Sequence, residues 1–308
     1  MTLMNGSLRP CCGRTLNVVS SRIALGTVQF GLSYGIANRF GQVSREEAAL
    51  ILMHALAAGL DTLDTAIAYG DSELQLGKIG VQQWQVISKL PALPDACTDV
   101  AGWVRDSVRG SLQRLKVPTL HGMLVHRSQD LLGSHGHALR RGLAAVKDAG
   151  MVEAVGVSVY APEELEALES CMRLELVQLP LSIVDRRFVS SGWLTRLQRA
   201  GTRVHARSVF LQGLLLMDAT ARPARFNRWQ RLWDEWDRWL RDQALTPLQL
   251  CLGFVLSQPE IDRVVVGVDS VPQLQGILAS ATAPFVAAPI DLISEDLDLV
   301  NPSRWGAS

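Results

Sequence analysis

From Arg22 onward, short runs of apolar residues alternate with longer segments in which apolar residues recur at helical spacing. Eight of the short runs are rich in β-branched residues and are bounded by turn residues, which is typical of strands. The predicted strands are IALGTVQF (23–30), DTLDTA (61–66), QVISKL (85–90), LHGMLVH (120–126), AVGVSV (154–159), ELVQLP (175–180), RVHARS (203–208) and RVVVGV (263–268). Strands that alternate with helices indicate a parallel sheet, and eight such units predict an α/β fold of the (β/α)₈ TIM-barrel type.

Residues typical of helix ends stand between the predicted strands. In the first helical segment, Ser44 precedes Glu47 at the spacing of a capping box, and Gly59 follows the apolar run AALILMHALAA. Pro162 and the pair Thr246-Pro247 open two later segments, since proline is favoured at the first helical position. These signals support helices in the connections.

The longest connection follows the seventh predicted strand and covers about residues 209–262. It has to hold two helices and a loop, because ATARPAR (219–225) interrupts the helical period. One stripe of its second half carries the large apolar residues Trp229, Leu232, Trp233, Trp236, Trp239 and Leu240. Such a stripe predicts a helix packed against the barrel wall, and an interface with a partner or a second copy of this chain is the alternative. A long insertion after a barrel strand also shapes the mouth of an active site.

No fixed-period repeat, low-complexity tract or internal linker divides the 308 residues. We therefore predict a single barrel domain over residues 19–300. A loosely ordered N-terminal arm, residues 1–18, precedes it, and a C-terminal tail, residues 301–308, follows it.

The overall charge excludes several kinds of partner. Thirty basic residues balance thirty acidic ones, so no net field holds the protein on nucleic acid or an anionic membrane. No run of about 18 uncharged apolar residues occurs, and the N-terminal residues lack the core of a signal peptide. The five cysteines are scattered and suit neither a disulfide framework nor a zinc clamp. We expect a cytoplasmic protein with reduced thiols and no metal.

Polar residues interrupt three consecutive strands near their ends. Asp64 ends the second strand, Lys89 the third and His126 the fourth, while Tyr69 lies in the loop after the second. Each alone has an ordinary structural explanation, such as a helix cap or a lysine that extends to solvent. Together they are expected to converge at the C-terminal end of the barrel, where the active sites of this fold lie.

The segments DTAIAYGDSELQLG (64–77), SKL (88–90) and LVH (124–126) resemble the Asp, Tyr, Lys and His tetrad motifs of the aldo-keto reductase family. The similarity extends from LGTVQFG (25–31) to VVGVDSVPQL (265–274), which is most of the chain. The resemblance implies an NAD(P)H-dependent reduction of a small aldehyde or ketone, with sugar-derived carbonyls among the candidates. It implies that the hydride comes from the nicotinamide and the proton from Tyr69.

The chemistry of the four side chains agrees with those roles. Hydride addition places negative charge on the carbonyl oxygen, so the site needs a proton donor and positive charge beside it. Lys89 is expected to lower the pKa of Tyr69 and to be held in place by Asp64. His126 is expected to orient the carbonyl by a hydrogen bond or to assist proton transfer.

No two glycines are two residues apart, so the G-x-G-x-x-G motif of Rossmann folds is absent. The resemblance implies instead that Thr27 and Val28 approach the nicotinamide ribose and that Ser158 and Gln178 bind the carboxamide. The full set that it assigns to the cofactor is Thr27, Val28, Asp64, Ser158, Gln178, Arg207, Ser208, Phe210, Gln212, Gly213, Gly267, Asp269, Ser270 and Gln273.

Two positions and one segment depart from the family's pattern. Val159 replaces a common asparagine, and Arg207 replaces an aromatic residue that stacks on the nicotinamide in many members. A guanidinium group can also stack, but it adds charge beside the ring or the pyrophosphate. The run GVDSVPQLQGIL (267–278) contains no Lys or Arg to pair with the 2′-phosphate of NADP, whereas its Asp269 suits a ribose hydroxyl. The family favours NADP and these residues favour NAD, so both stay open.

Two other functions remain as alternatives. The chain could be a regulatory subunit that binds cofactor with little turnover, or a barrel lyase in which Lys89 forms a Schiff base. An acidic or sugar-phosphate substrate could meet Arg127, Arg186 or Arg187, although surface charge explains these arginines equally well.

Overall fold

A computed structural model of the protein describes residues 20–283 and 285–305. Within these residues, eight parallel strands close into a barrel in which each strand pairs with the next and the last pairs with the first. The strands are β1 (Ile23–Gly26), β2 (Thr62–Asp64), β3 (Gln85–Leu90), β4 (Gly122–Val125), β5 (Val155–Ser158), β6 (Leu176–Pro180), β7 (Arg203–Arg207) and β8 (Arg263–Gly267). Each lies inside a predicted run, so the predicted (β/α)₈ barrel is confirmed.

Helices connect the strands. In the described part of the chain they are α1 (Arg45–Ala57), α2 (Ser72–Ile79), α3 (Val100–Leu115), α4 (Gln129–Leu132), α5 (Gly136–Asp148), α6 (Pro162–Glu169), α7 (Arg187–Ser190), α8 (Trp193–Arg199), α9 (Gln230–Gln243), α10 (Pro247–Leu256), α11 (Val271–Ser280) and α12 (Leu297–Val300).

The ends of α1 follow the predicted signals. The Ser44 hydroxyl accepts the backbone N–H of Glu47, and Gly59 leaves the helix in the left-handed region at a φ of 91°. The Glu47 side chain does not close the capping box. Its Oε1 instead accepts the backbone N–H of Val271 at 2.9 Å, which joins the start of α1 to the start of α11. α6 and α10 begin at the predicted prolines, Pro162 and Pro247.

The interior of the barrel changes from apolar to polar along the strands. Ile87, Leu124 and Leu176 are fully buried and form a cluster of their own, separate from the main core. Because side chains two residues apart point to the same face of a strand, Lys89 and Gln178 continue the interior rows of Ile87 and Leu176. The C-terminal ends of the strands therefore direct polar groups into the barrel axis.

The tryptophan-rich stripe packs within this chain. Trp233, Trp236 and Trp239 of α9 are buried, and the indole nitrogen of Trp233 donates to the carbonyl of Phe226 at 2.9 Å. The stripe therefore packs within the chain, where α9 contacts the segments Ala224–Trp229 and Ile290–Leu292, while packing against the barrel wall itself stays a prediction. The two predicted helices of the insertion are present as α9 and α10. Trp305 packs edge-on against Phe226, with ring centroids 4.9 Å apart, so the chain beyond residue 300 contacts the insertion.

Three predictions concern the N-terminal arm, the cysteines and membrane-spanning segments. The N-terminal arm, residues 1–18, lies outside the described residues. Cys97, Cys171 and Cys251 are free thiols. Across residues 20–283 and 285–305, we find no helix with the length and apolar character needed to cross a membrane.

Two helical glycines give a matched test of packing. A Cβ at Gly77 in α2 would overlap the backbone carbonyl of Arg114, whereas a Cβ at Gly276 in α11 would meet only Leu248 Cδ2 at 3.9 Å. We expect Gly276→Ala to raise the free energy of unfolding by up to about 1 kcal/mol, as helix propensity predicts. Gly77→Ala is expected to lower it by about 1–3 kcal/mol, because α2 and α3 have to separate. Denaturant unfolding of both variants checks this, and equal effects would contradict it.

Candidate active site

The four predicted tetrad side chains meet at the C-terminal end of the barrel. The Lys89 ammonium donates to Asp64 Oδ2 at 2.7 Å and to the carbonyl of Thr65 at 2.9 Å. The same nitrogen lies 3.5 Å from the Tyr69 hydroxyl oxygen. The His126 ring stands edge-on to the Tyr69 ring, with centroids 5.9 Å apart. Asp64, Lys89, Tyr69 and His126 are thus one connected group.

Close backbone packing fixes the loop that carries Tyr69. A Cβ at Gly31 would overlap the carbonyl of Tyr69, and a Cβ at Gly70, which has a φ of 54°, would overlap the carbonyl of Gly31. The Ser72 hydroxyl, at the start of α2, donates to the carbonyl of Thr27 at 2.9 Å. The Tyr69 loop is therefore held against the turn that follows β1.

Burial shifts the pKa values of Tyr69 and His126. It raises the pKa of Tyr69 above its ordinary value, with a further contribution from the Asp64 carboxylate, so the expectation that Lys89 lowers this pKa is wrong. Burial is the largest effect and outweighs the opposing effect of the positive charge of Arg207. Burial also lowers the pKa of His126 to about 3, assisted by the positive charges of Lys89 and Arg207. The site therefore holds a neutral phenol and a neutral imidazole.

Gln178 supports the tetrad from the opposite side. Its Nε2 donates to Asp64 Oδ1 at 2.6 Å, so both carboxylate oxygens of Asp64 have a donor. Gln178 Oε1 is buried and has no hydrogen-bond partner among the described residues. The hydrogen-bonding capacity of this oxygen is therefore unused within the described residues.

A cavity of about 700 Å³ opens above these residues. This volume lies in the range of about 300–1,000 Å³ that is usual for cofactor and ligand sites. Most of the predicted site residues line it, namely Thr27, Val28, Asp64, Tyr69, His126, Gln178, Arg207, Ser208, Phe210, Gln212, Gly213, Gly267, Asp269 and Gln273. The cavity thus extends from the tetrad past the ends of β7 and β8.

Three of the predicted site residues do not line the cavity. Lys89 is fully buried beneath Asp64 and Tyr69, and Ser158 is also buried. The Ser270 hydroxyl accepts the backbone N–H of Gln273 as the N-cap of α11. Ser270 is therefore occupied in starting a helix.

The segment after β7 has an unusual backbone along the cavity wall. Ser208, Leu211 and Gln212 have φ values of 59°, 46° and 53°, and Gly213 has a φ of 91°. Left-handed conformations are costly for residues other than glycine and persist where the surrounding structure enforces them, often at binding sites. The segment that carries the predicted cofactor residues Ser208, Gln212 and Gly213 thus has a strained backbone.

Several cavity residues were not predicted from the sequence. They are Gln29, Tyr34, Asn38, Tyr160, Pro302 and Ser303. The chain has three tyrosines, and all three line this cavity. The Tyr34 hydroxyl accepts from Gln212 Nε2 at 3.1 Å, which connects the loop after β1 to the loop after β7. The scarcity of tyrosine was the one signal in the sequence that could have indicated Tyr34 and Tyr160.

The structure gives the partners of the three arginines that the sequence offered as contacts for an anionic substrate. Arg127 pairs with Asp130, Arg187 pairs with Asp185, and Arg186 donates to backbone carbonyls, so all three are engaged within the chain. None of these three lines the cavity. An anionic substrate has to be recognised by another residue.

Comparison with known proteins gives consistent matches. A sequence model of the Aldo/keto reductase family matches residues 22–297. A 6-dehydroglucose reductase of Novosphingobium aromaticivorans is 29% identical over 195 residues, which cover 57% of this chain and 63% of that protein. An aldo-keto reductase of Mycolicibacterium vanbaalenii is 29% identical over 128 residues, which cover 41% of this chain and 45% of that protein. The chain thus spans 45% to 63% of the length of these two relatives.

Solved structures share the fold. An aldo-keto reductase from Bacillus halodurans, in its holo form, superposes with a TM-score of 0.69 and 19% sequence identity, covering 87% of this chain and 88% of that one. At this identity the likeness concerns the barrel architecture.

Proposed function

Because the chain belongs to the aldo/keto reductase family, we propose that it reduces a small aldehyde or ketone to an alcohol with NADH or NADPH. The observation that carries the proposal is the contact of the Tyr69 hydroxyl, 3.5 Å from the ammonium of Lys89, at the floor of the cavity. A bound nicotinamide supplies the hydride in this chemistry. The protein supplies the proton, the orientation and the exclusion of water.

Unpaired acceptors in the cavity fit a dinucleotide. Gln29 Oε1, Gln178 Oε1 and Asp269 Oδ1 are buried, have no hydrogen-bond partner among the described residues, and belong to side chains that line the cavity. Buried acceptors normally have donors, so these three suit the amide and hydroxyl groups of a ligand. Gln178 lies beside the tetrad and Asp269 lies beyond β8. We therefore assign Gln178 to the nicotinamide end and Asp269 to the adenosine end.

The charge states of the site favour reduction. His126 is neutral and donates to the substrate oxygen without adding a charge to the site, and Tyr69 keeps its proton at ordinary pH because its pKa is raised. As negative charge grows on the carbonyl oxygen, the phenol transfers its proton, and the Lys89 ammonium stabilises the phenolate that remains. Oxidation of an alcohol needs the phenolate first, so we expect it to become faster as pH rises.

The geometry argues against the two alternative functions. A Schiff-base lyase needs Lys89 exposed to substrate, but this side chain is fully buried with its nitrogen bonded to Asp64 and Thr65. A regulatory subunit with little turnover does not need the tetrad contacts that are present here.

We propose a sugar-like substrate, because the cavity wall carries side chains that can form hydrogen bonds with several hydroxyl groups. Tyr34, Asn38 and Tyr160 line the cavity. The relative from Novosphingobium aromaticivorans is named for 6-dehydroglucose, a sugar carbonyl.

Asp269 leads us to propose a preference for NADH. Its carboxylate lines the cavity, and Arg207, which lies at the end of β7, is the cavity's single Arg or Lys within residues 20–283 and 285–305. A 2′-phosphate beside Asp269 would meet negative charge, whereas a ribose hydroxyl would be a donor to it.

Fluorescence titration with NADH and NADPH tests both the function and the preference. We expect NADH to bind at least about tenfold more tightly, a difference of about 1.4 kcal/mol. Asp269→Asn is expected to reduce this ratio, and Asp242→Asn, on the exposed face of α9, serves as the matched control. Binding of neither cofactor would contradict the proposed function. Tighter binding of NADPH would contradict only the role of Asp269.

A further inference from the structure

Arg207 occupies a fixed position on the cavity wall. It is the last residue of β7, and its guanidinium carbon lies 4.2 Å from the centroid of the Tyr160 ring. Its Nη2 donates to the carbonyl of Val159 at 2.9 Å, and its Nη1 donates to the Ser208 hydroxyl at 3.1 Å. One face of the guanidinium is thus covered by an aromatic ring, and two of its N–H groups are held by neutral oxygens.

The charge of Arg207 is not neutralised by the chain. Within the described residues, no carboxylate forms a salt bridge with it, in contrast to Arg187 with Asp185 and Arg222 with Asp237. The Asp64 carboxylate at the cavity floor is already bonded to Lys89 and Gln178. A guanidinium has five N–H donors in a planar fork that matches a carboxylate.

Arg207 lies in the same cavity as the proposed catalytic side chains. It lines the same cavity as Tyr69 and His126, and its charge lowers the pKa of His126 and opposes the rise in the pKa of Tyr69. Tyr34 and Tyr160 line the cavity with it. An anionic group bound by Arg207 would therefore belong to a molecule whose other end reaches Tyr69.

We propose that Arg207 binds a carboxylate of the substrate, so that the preferred substrates are carbonyl compounds that also carry a carboxylate, such as sugar acids. This inference rests on the proposed reductase function for the reacting end of the substrate. Stacking on Tyr160 and the bond to Val159 hold the guanidinium at the cavity wall, and its remaining N–H donors have no hydrogen-bond partner among the described residues. The diphosphate of the cofactor is the other anionic group that could pair with the Arg207 guanidinium.

A pair of aldehydes of equal size tests the role of the charge. The probes are 4-formylbenzoate and 4-formylbenzamide, with the 3-substituted pair to vary the distance to the carbonyl. We expect the wild type to prefer the carboxylate in kcat/KM, and Arg207→Gln to reduce this value by about 10- to 100-fold for the carboxylate, the usual loss for a charged hydrogen bond. The value for the amide should change less than about threefold. Arg207→Lys should recover part of the loss.

Binding measurements make the test independent of turnover. Isothermal titration with 4-(hydroxymethyl)benzoate and its amide, with and without NADH, compares wild type, Arg207→Gln and the control Arg127→Gln, whose arginine lies outside the cavity. Thermal unfolding checks that each variant is folded. Tighter binding of the carboxylate by the wild type, lost only in Arg207→Gln, supports the proposal even if neither aldehyde is reduced.

Two outcomes would overturn it. One is equal binding of the carboxylate and the amide by the wild type. The other is a weaker affinity of Arg207→Gln for NADH with an unchanged preference for the carboxylate, which would assign the guanidinium to the cofactor diphosphate.

Discussion

Replacement of Tyr69 by phenylalanine is expected to lower kcat/KM for carbonyl reduction by about 10²- to 10⁴-fold, the range usual for loss of a general acid. The variant keeps the ring that contacts His126 and removes only the hydroxyl beside Lys89. In the proposed function that hydroxyl gives its proton to the substrate carbonyl. We therefore expect the affinity for the cofactor to be retained. Steady-state kinetics with a panel of aldehydes and titration with NADH measure the two effects separately.

Tyr34→Phe is the matched control for this experiment. Tyr34 lines the same cavity, and its hydroxyl accepts from Gln212 rather than approaching Lys89. We expect this variant to lose less than about tenfold in kcat/KM, as for one neutral hydrogen bond. Reduction that is as fast in Tyr69→Phe as in the wild type would rule out the proposed proton donor.

Replacement of Lys89 by methionine is expected to lower the free energy of unfolding by about 3–5 kcal/mol, as well as to abolish efficient reduction. The Lys89–Asp64 pair is buried, with the lysine side chain fully inaccessible. The variant leaves the Asp64 carboxylate in the barrel with Gln178 as its remaining side-chain donor. Chemical unfolding followed by circular dichroism measures the change.

The loss of stability in Lys89→Met is expected to grow as the pH rises. In Lys89→Met, the buried Asp64 carboxylate has lost its positive partner, and burial without such a partner favours the neutral, protonated form. The folded state then binds a proton that the unfolded state releases, so the variant is relatively more stable at low pH and loses stability as pH rises. We therefore expect a larger deficit at pH 8 than at pH 5.

Two further variants complete the comparison. Asp64→Asn combined with Lys89→Met removes both charges and is expected to recover part of the stability, since the buried charge is gone. Arg238→Met disrupts an exposed ion pair with Glu235 and is expected to cost less than about 1 kcal/mol. A loss in Lys89→Met no larger than that in Arg238→Met would show that the buried pair does not stabilise the barrel.

The strands and helix ends could be predicted because they depend on local patterns. Ser44, Gly59 and Pro247 act on their own helix ends, and the eight apolar runs carry their own signal. The predicted limits were less accurate where a distant contact intervenes. The run IALGTVQF extends to residue 30, but β1 ends at Gly26 and Val28–Phe30 form a 3₁₀ helix, next to which the distant Ser72 hydroxyl donates to the carbonyl of Thr27.

The convergence of the tetrad could be predicted from the topology, but its electrostatics could not. The parallel barrel brings the ends of β2, β3 and β4 together whatever the detailed packing. The direction of the Tyr69 pKa shift depends on how deeply the folded chain buries the phenol and on its distance from Asp64, and no local pattern in the sequence gives either. The stacking of Arg207 on Tyr160 likewise joins the end of β7 to the loop after β5, and no periodic pattern encodes it.

The cavity has a floor made by strand ends and walls made largely by loops, and this difference affects how the protein can evolve. In the proposed function Asp64 and Lys89 serve the chemistry, and their ion pair is buried inside the barrel, so we expect a mutation that alters the reaction also to threaten folding. Tyr34, Tyr160 and Arg207 lie at or beyond strand ends, where substitutions disturb few core contacts. Under selection for new substrates, we expect lineages to diverge first at these wall positions while the reaction itself is inherited unchanged.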